Sequence, residues 1–233
     1  MNKCIVVLKI NFIDFVKLFT FFVNSAIMIK ECKGNEVIMA RIDFKAGTLL
    51  GPLPAVMVTV ADGEASNVLT VAWCGILSTD PARAYISVRP SRHSYEMLKS
   101  SGEFVINLTT EALVRTTDYV GIFTGAKVDK FQKCNLTRVP SKVVSAPTIA
   151  ESPLSLECKV FEVIPSGTHD IFLADIVNVS CDEGLLDDKG KIRLDKARLI
   201  AYAHGEYFTL GKKLGNFGFS ATKKKKRAQG KKK

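Results

Sequence analysis

The chain has 233 residues and a formal net charge of +10; 47% of its residues are hydrophobic and 24% are charged. Disordered chains combine low hydrophobicity with high charge, so this composition excludes a wholly disordered protein. Its six cysteines, 16 glycines and eight prolines exclude the disulfide-dense and collagen-like classes. The length predicts one domain with a substantial core and short appendages.

The first 38 residues differ in composition from the rest, because they are rich in Ile, Phe, Val and Lys and contain no Pro. Their longest uncharged run, residues 18–29, has 12 residues, whereas a membrane-spanning helix needs about 20. No small-residue cleavage site follows that run, which argues against a secretory signal peptide. We interpret residues 1–38 as an atypical extension translated from upstream of a natural start at Met39. A membrane anchor is the alternative.

Residues 39–220 form the predicted domain, and residues 221–233 form a Lys-rich tail. Eight tail residues are Lys or Arg and none is acidic, so removing them from the net charge of +10 leaves +2 for the remaining residues. A run of like charges repels itself, so the tail is predicted to be disordered and able to contact nucleic acid or anionic surfaces nonspecifically. A solvated end that aids solubility is the favoured interpretation.

The six cysteines lie at least 23 residues apart, which excludes paired Cys-x-x-Cys metal or redox motifs. A chain of this length needs no disulfides, so reduced thiols in a cytoplasmic protein are expected. Cys158 lies in an alternating apolar pattern and is predicted to be a core residue.

Taken in chain order, the domain is mostly β. Segments rich in β-branched and aromatic residues predict strands over 55–60, 84–88, 104–108, 154–164 and 171–179. In the fourth, Leu156, Cys158 and Val160 share one face, and Glu157 and Lys159 share the other. Such alternation is typical of an antiparallel sheet with one solvated face.

Two short helices are predicted, one from Ser91 to about Lys99 and one that follows Thr110 and ends near Gly121. The fold class is therefore mainly β with short helices, and the architecture is a small β-barrel with helical insertions.

Residues 67–75 mix strand formers with hydrogen-bonding side chains, among them Asn67 and Thr70. Polar groups at a strand end are suited to holding the edge of a flat heteroaromatic ligand. A half-buried strand that begins a turn explains the same residues equally well.

The next segment gathers cationic and polar residues at the predicted start of a helix: Arg89, Ser91, Arg92, His93 and Ser94. A helix N-terminus offers unpaired N–H groups and a positive dipole end, and Arg adds charge-assisted donors. An anion site is favoured over a capping Ser flanked by solvated Arg residues. Neither a P-loop nor a Rossmann glycine motif occurs.

The three histidines, His93, His169 and His204, are too dispersed for a predicted zinc site, and no metal is expected. His169 lies at the mouth of a predicted strand. Its ring nitrogens either form hydrogen bonds within a turn, or the ring lies over a ligand at the rim of the barrel.

In this order, the segments resemble the flavin reductase-like family of FMN-binding split barrels, especially its flavoredoxin-type branch. The resemblance spans about residues 45–215 and rests on the segments 51–54, 67–75, 80–81, 87–94, 103–107, 129–131, 156–160 and 167–172. It implies a Greek-key split β-barrel that forms a homodimer, with FMN bound at the subunit interface.

The resemblance also implies the residues that hold the cofactor: Asn67, Thr70, Ala72, Trp73, Cys74, Arg89, Ser91, Arg92, His93, Ser94, Asn107 and Lys130. Arg89, Ser91, Arg92, His93 and Ser94 match the phosphate site, in agreement with the anion site argued above. His169 resembles a histidine near the flavin ring and is expected to gate the site or face the nicotinamide.

Two functions follow from the resemblance: an NAD(P)H-dependent flavin reductase, and a flavoredoxin-type electron carrier with little direct NADH or NADPH activity. The electron acceptor is left open. A nucleic-acid-binding module is a third hypothesis, but only the tail favours it, since no aromatic-interleaved basic face is present.

Overall fold

The computed structural model describes residues 41–221. Contacts divide the chain into two units, residues 1–48 and 49–233, and every element below belongs to the second. The predictions for residues 1–38 and for the Lys-rich tail from Lys223 onward lie outside the described residues. No helix within residues 41–221 is long and apolar enough to cross a membrane.

Within residues 41–221 the domain has twelve strands and three α-helices. The strands are β1 (Leu53–Pro54), β2 (Val56–Asp62), β3 (Ala65–Val71), β4 (Cys74–Thr79), β5 (Ala82–Val88), β6 (Glu103–Asn107), β7 (Arg138–Val139), β8 (Thr148–Ile149), β9 (Leu154–Ser166), β10 (His169–Cys181), β11 (Ile200–Ala203) and β12 (Glu206–Thr209). The helices are α1 (Ser94–Ser101), α2 (Val114–Ile122) and α3 (Lys130–Lys133). All five predicted strands and both predicted helices are present.

Seven antiparallel strands form the main sheet in the order β3-β2-β6-β9-β10-β5-β4. Its two edge strands, β3 and β4, are consecutive along the chain and are joined only by Ala72 and Trp73. The sheet therefore closes on itself except along this seam, where the Ser87 N–H donates to the Trp73 carbonyl at 2.8 Å. The split-barrel architecture is confirmed. Ala72 and Trp73, which are predicted to bind the ligand, lie at the seam.

Strand β2 lies between two cores, which explains why it is apolar on both faces. Val58 and Val60 face the barrel interior, where they pack with residues such as Phe104 and Phe172. Met57 faces the other way and packs with Phe131 and other residues outside the barrel. Because both faces are covered, no alternation appears in the sequence of this strand.

The prediction that Glu157 lies on a solvated face is wrong. The side chain is 1% exposed, because the segment containing Lys142, Val143 and Val144 folds over this face of β9. These three residues donate their backbone N–H groups to the carboxylate at 3.0, 2.6 and 3.2 Å, and the Asn178 amide donates at 2.7 Å. Burial opposes ionisation, but these hydrogen bonds outweigh it and hold the pKa of Glu157 below its usual value.

Helix α1 starts three residues later than predicted, at Ser94 instead of Ser91. A turn precedes it, in which the Arg92 N–H donates to the Arg89 carbonyl at 3.0 Å. The helix ends as glycine-terminated helices usually do, because Gly102 adopts φ +64° and donates its N–H back to Leu98. Arg89, Ser91 and Arg92 of the predicted anion site therefore lie in the turn that leads into the helix, and Ser94 is the first residue of the helix.

Candidate functional site

A groove with a volume of about 280 Å³ lies along the seam of the barrel. The end of β3, the end of β5, the C-terminal part of α2 and the start of β10 border it. The lining residues are Ala55, Leu69, Thr70, Val71, Ala72, Trp73, Ser87, Val88, Arg89, Arg92, Asp118, Gly121, Ile122, His169, Tyr202 and Tyr207. Four predicted site residues outside the helix start line this groove, namely Thr70, Ala72, Trp73 and His169, although up to 99 residues separate them in the chain.

A smaller pocket of about 70 Å³ adjoins the groove, and we name it the inner pocket. It shares Leu69, Thr70, Arg92 and Gly121 with the groove, so the two cavities lie side by side. Its polar and charged lining residues are Asn67, Thr70, Ser91, Arg92, His93, Ser94, Thr124 and Lys130. Seven of the cofactor residues implied by the resemblance thus surround one small cavity without a carboxylate in its lining.

The N-terminus of α1 opens into the inner pocket. Within the described chain no side chain caps this helix, whose N-cap residue is His93. Asn67 is buried and donates from its amide to the Ser94 hydroxyl at 2.8 Å, which joins β3 to the helix. The positive end of the helix dipole is therefore available to an anion in this pocket.

Two cations reinforce that preference. Lys130 is buried and donates from Nζ to the carbonyls of Val68 and Val120 at 2.7 and 2.8 Å. Burial, with Arg92 adding repulsion, lowers the pKa of Lys130 to about 8. In the part of the chain that the structure describes, no carboxylate forms an ion pair with Arg92 or Lys130. An anionic group between them would relieve the repulsion.

Two glycines bring backbone close to the pocket. A Cβ on Gly125 would lie 2.4 Å from Oδ1 of Asn67, and one on Gly121 would lie 3.1 Å from Cβ of Thr70. Thr70 in turn donates its hydroxyl to the carbonyl of Thr117 on α2. Helix α2 and the loop after it are thereby held against β3, which shapes the wall shared by the two cavities.

His169 lies at the rim of the groove with its ring 6.0 Å from that of Trp73 and nearly parallel to it, at 24°. Arg89 donates from Nε to His169 Nε2 at 3.3 Å, so Nε2 is an acceptor and Nδ1 carries the proton toward the Thr168 hydroxyl, 2.9 Å away. Burial, Arg89 and Arg92 lower the pKa of His169. The lowered pKa favours the neutral imidazole. His169 both contacts the adjacent Thr168 and lines the groove, so its position over a ligand stays a prediction.

Two residues implied by the resemblance do not line either cavity. Asn107 is fully buried in the sheet, where its amide donates to the Met57 carbonyl at 3.1 Å and its oxygen accepts from the Ile149 N–H at 3.0 Å. Cys74 is buried in the barrel core, and burial raises the pKa of its thiol to about 12. Both side chains stabilise the fold beneath the site, because their polar atoms have internal partners.

Sequence reasoning missed four polar residues of the groove, and one of them is Ser87 at the end of β5. Asp118 lies on α2, while Tyr202 and Tyr207 lie on β11 and β12. The Tyr207 hydroxyl donates to Asp118 at 3.3 Å, and burial together with this carboxylate raises the pKa of Tyr207 to about 12. No spacing connects residues 118 and 207, so only the tertiary fold reveals them.

Fold and site together define a split-barrel protein with a seam groove suited to a flat ligand and an adjoining cavity suited to its anionic end. Residues 51–211 match the family model described as "Flavin reductase like domain". The chain belongs to this family.

Solved structures and sequence relatives agree with that assignment. The flavoredoxin of Desulfovibrio vulgaris is 31% identical, with a TM-score of 0.74, and the match covers 78% of this chain and all of that one. A flavoredoxin from Methanosarcina acetivorans shares the fold at 24% identity and a TM-score of 0.72, over 79% of this chain and 100% of that one. An uncharacterized protein of Archaeoglobus fulgidus is 34% identical over 133 residues, which is 57% of this chain and 75% of that protein.

Proposed function

We propose that the protein binds FMN along the seam of its barrel and uses it for electron transfer, as an NAD(P)H-dependent flavin reductase. The observation that carries this proposal is the continuity of the two cavities. A groove bordered by the Trp73 backbone and side chain leads directly into a carboxylate-free pocket with Arg92, Lys130 and the start of α1. A flat ring system with a phosphate at the end of a flexible chain matches both parts.

The residues present fit such a cofactor. Arg92, Lys130 and the Ser91–Ser94 turn would hold the phosphate by charge-assisted hydrogen bonds. Thr70, Ala72 and Trp73 would border the ring and its side chain, where β3 supplies rigid backbone groups. Bound FMN supplies the redox chemistry, namely acceptance of a hydride and delivery of electrons to an acceptor.

His169 would orient the electron donor and exclude water from one side of the ring. A neutral imidazole held by Arg89 and stacked beside Trp73 offers a flat surface to a nicotinamide. The imidazole carries its proton on Nδ1, which faces the Thr168 hydroxyl. We therefore assign His169 a positioning role and give it no proton-transfer step.

The second candidate function is electron carriage without direct reactivity toward NADH or NADPH. The similarity to the flavoredoxin of Desulfovibrio vulgaris, which spans the whole of that protein, favours it. The seam groove serves either function, because both need only a held flavin. The two candidates differ in whether a nicotinamide can approach the ring.

We also propose that the protein is a homodimer. Exposed apolar side chains lie on β4 and β9, among them Ile76, Leu77 and Phe161, and we name them the outer sheet patch. Apolar surface clustered on a sheet is typical of a protein interface. The ion pair between Arg83 and Asp175 lies beside it, since Arg83 stacks over the Phe161 ring at 4.3 Å.

Visible absorption spectra of the full-length protein test the proposal. We expect a flavin spectrum from the purified protein or after addition of FMN, and rapid anaerobic bleaching by NADH or NADPH. A bound flavin that only dithionite bleaches would favour the carrier. A colourless protein with no affinity for added FMN would refute both functions.

A further inference from the structure

Arg89 differs in position from the other residues of the predicted anion site. Those other residues line the inner pocket, namely Ser91, Arg92, His93 and Ser94. Arg89 lines the groove and does not line the inner pocket. A phosphate held in the inner pocket therefore leaves Arg89 free to bind a second anion.

One hydrogen bond holds the guanidinium of Arg89 at the rim of the groove. Its Nε donates to Nε2 of His169 at 3.3 Å, and the His169 ring lies beside that of Trp73. Among residues 41–221, the two terminal nitrogens of Arg89 have no hydrogen-bond partner. Two such nitrogens form a planar pair of donors that matches the oxygens of a phosphate. Arg89 is thus anchored through one nitrogen, and the other two are available to a ligand.

The described part of the chain supplies no counter-ion to Arg89. The acidic residue in the lining of the groove is Asp118, which accepts a hydrogen bond from the Tyr207 hydroxyl at 3.3 Å. Neither Asp118 nor any other carboxylate of residues 41–221 forms an ion pair with Arg89. An anchored cation without a counter-ion at the rim of a groove is suited to an anionic ligand.

We propose that Arg89 binds a phosphate group of the nicotinamide dinucleotide that reduces the flavin. This inference rests on the proposed reductase function and names a residue that recognises the electron donor. The nicotinamide is assigned to the surface formed by His169, and Arg89 contacts His169 directly. Because the nicotinamide and the phosphates belong to one molecule, a cation beside His169 is well placed for the phosphates.

The ring of the flavin itself is a less suitable partner for Arg89. The oxidised ring carries no charge, so it would leave the guanidinium without a counter-ion. A nicotinamide dinucleotide offers two sources of negative charge. The pyrophosphate is common to NADH and NADPH, whereas the 2′-phosphate occurs only in NADPH. Either group would accept the paired hydrogen bonds of the guanidinium.

Calorimetric titration of the FMN-loaded, full-length protein with NAD⁺ and NADP⁺ tests the inference. Arg89→Met should raise the dissociation constant of NADP⁺, alone or together with that of NAD⁺, by about tenfold, because a charge-assisted contact at an exposed position is lost. Arg89→Lys keeps the charge but not the paired donors, so its effect should be smaller. Arg115→Met is the matched control, since Arg115 is an exposed cation on α2 that lines neither cavity.

The kinetics of anaerobic reduction provide a second readout. In Arg89→Met, the NADPH concentration for half-maximal rate should rise by about tenfold, while the limiting rate changes little, because Arg89 binds a part of the donor remote from the transferred hydride. Thermal unfolding verifies that each variant is folded.

A loss of affinity confined to NADP⁺ would identify the 2′-phosphate as the group that Arg89 holds, and an equal loss for NAD⁺ would identify the pyrophosphate. Unchanged affinity for both nucleotides would overturn the inference alone, and so would a loss of FMN affinity without any effect on the nucleotides. A wild-type protein that binds FMN but neither nucleotide would refute the inference and favour the electron carrier. A wild-type protein without affinity for FMN would refute the proposed function and the inference with it.

Discussion

Two polar centres of the domain, one around Glu157 and one in the inner pocket, differ in how their charged groups are paired. Around Glu157, every acceptor is matched by donors of the same chain, namely Asn178 and three backbone N–H groups. In the inner pocket, the cations Arg92 and Lys130 have only carbonyl partners and no counter-ion within the described residues. A polar centre closed on itself stabilises the fold, whereas one left electrostatically unbalanced is suited to a charged ligand.

The largest effect on stability should come from removing the carboxylate of Glu157. Glu157→Ala leaves the Asn178 amide and the N–H groups of Lys142–Val144 without their acceptor, which should cost about 3 kcal/mol or more of unfolding free energy. Chemical denaturation measures it, with Glu162→Ala on the same strand as an exposed control. Equal unfolding free energies of the two variants would contradict the stabilising role of the Glu157 carboxylate.

The same centre predicts a pH dependence of stability. Because the pKa of Glu157 is depressed in the folded state, its contribution is present above the unfolded pKa of about 4.3 and is lost as the pH falls through the folded value. Unfolding free energy of the wild type should therefore decrease in acid more steeply than that of Glu157→Gln.

The next effect concerns the unbalanced centre. Arg92→Ala should weaken FMN binding by about 1.5–3 kcal/mol, or roughly 10- to 150-fold, because it removes a charge-assisted contact. Fluorescence titration with FMN measures the change, and Arg115→Ala, an exposed cation on α2, is the control. Unchanged affinity would remove Arg92 from the site.

A smaller effect should follow from the pKa of Lys130. Its folded value of about 8 lies below the usual one, so the positive charge is lost as the pH rises through 8. FMN affinity should therefore decrease about three- to tenfold between about pH 7 and pH 9, where a phosphate is already dianionic. Lys130→Met should abolish this dependence, whereas the exposed Lys127→Met should retain it. Parallel pH profiles of the two variants would contradict the role of Lys130.

The smallest effect on binding is expected at the rim. His169→Asn should change FMN affinity by less than about threefold, because His169 does not line the inner pocket and its side chain carries no charge there. The same substitution should slow reduction by NADH or NADPH. The wild-type rate should show little dependence on this imidazole above pH 7, because His169 is already neutral there. A large loss of FMN affinity would move His169 from a positioning role to a cofactor contact.

Much of the site could be predicted because its residues cluster in short segments. Arg92, His93 and Ser94 lie together at a helix start, and Thr70 and Trp73 lie together at a strand end. Clusters of this kind can be recognised in the sequence without knowledge of the fold. Asp118 and Tyr207 have no such neighbours, and no local pattern shows that Asn107 is buried and hydrogen-bonded to Met57, Thr59 and Ile149.

By itself, the sequence determined the mainly β fold, the positions of the long strands and the gathering of cations before α1, since periodicity and residue type act over a few residues. Only the tertiary structure decided that Glu157 is buried and that Lys130 lies beside Arg92. These features depend on which distant segments fold over one another. Burial, and with it charge and hydrogen bonding, is a property of the packed chain and not of a local stretch of sequence.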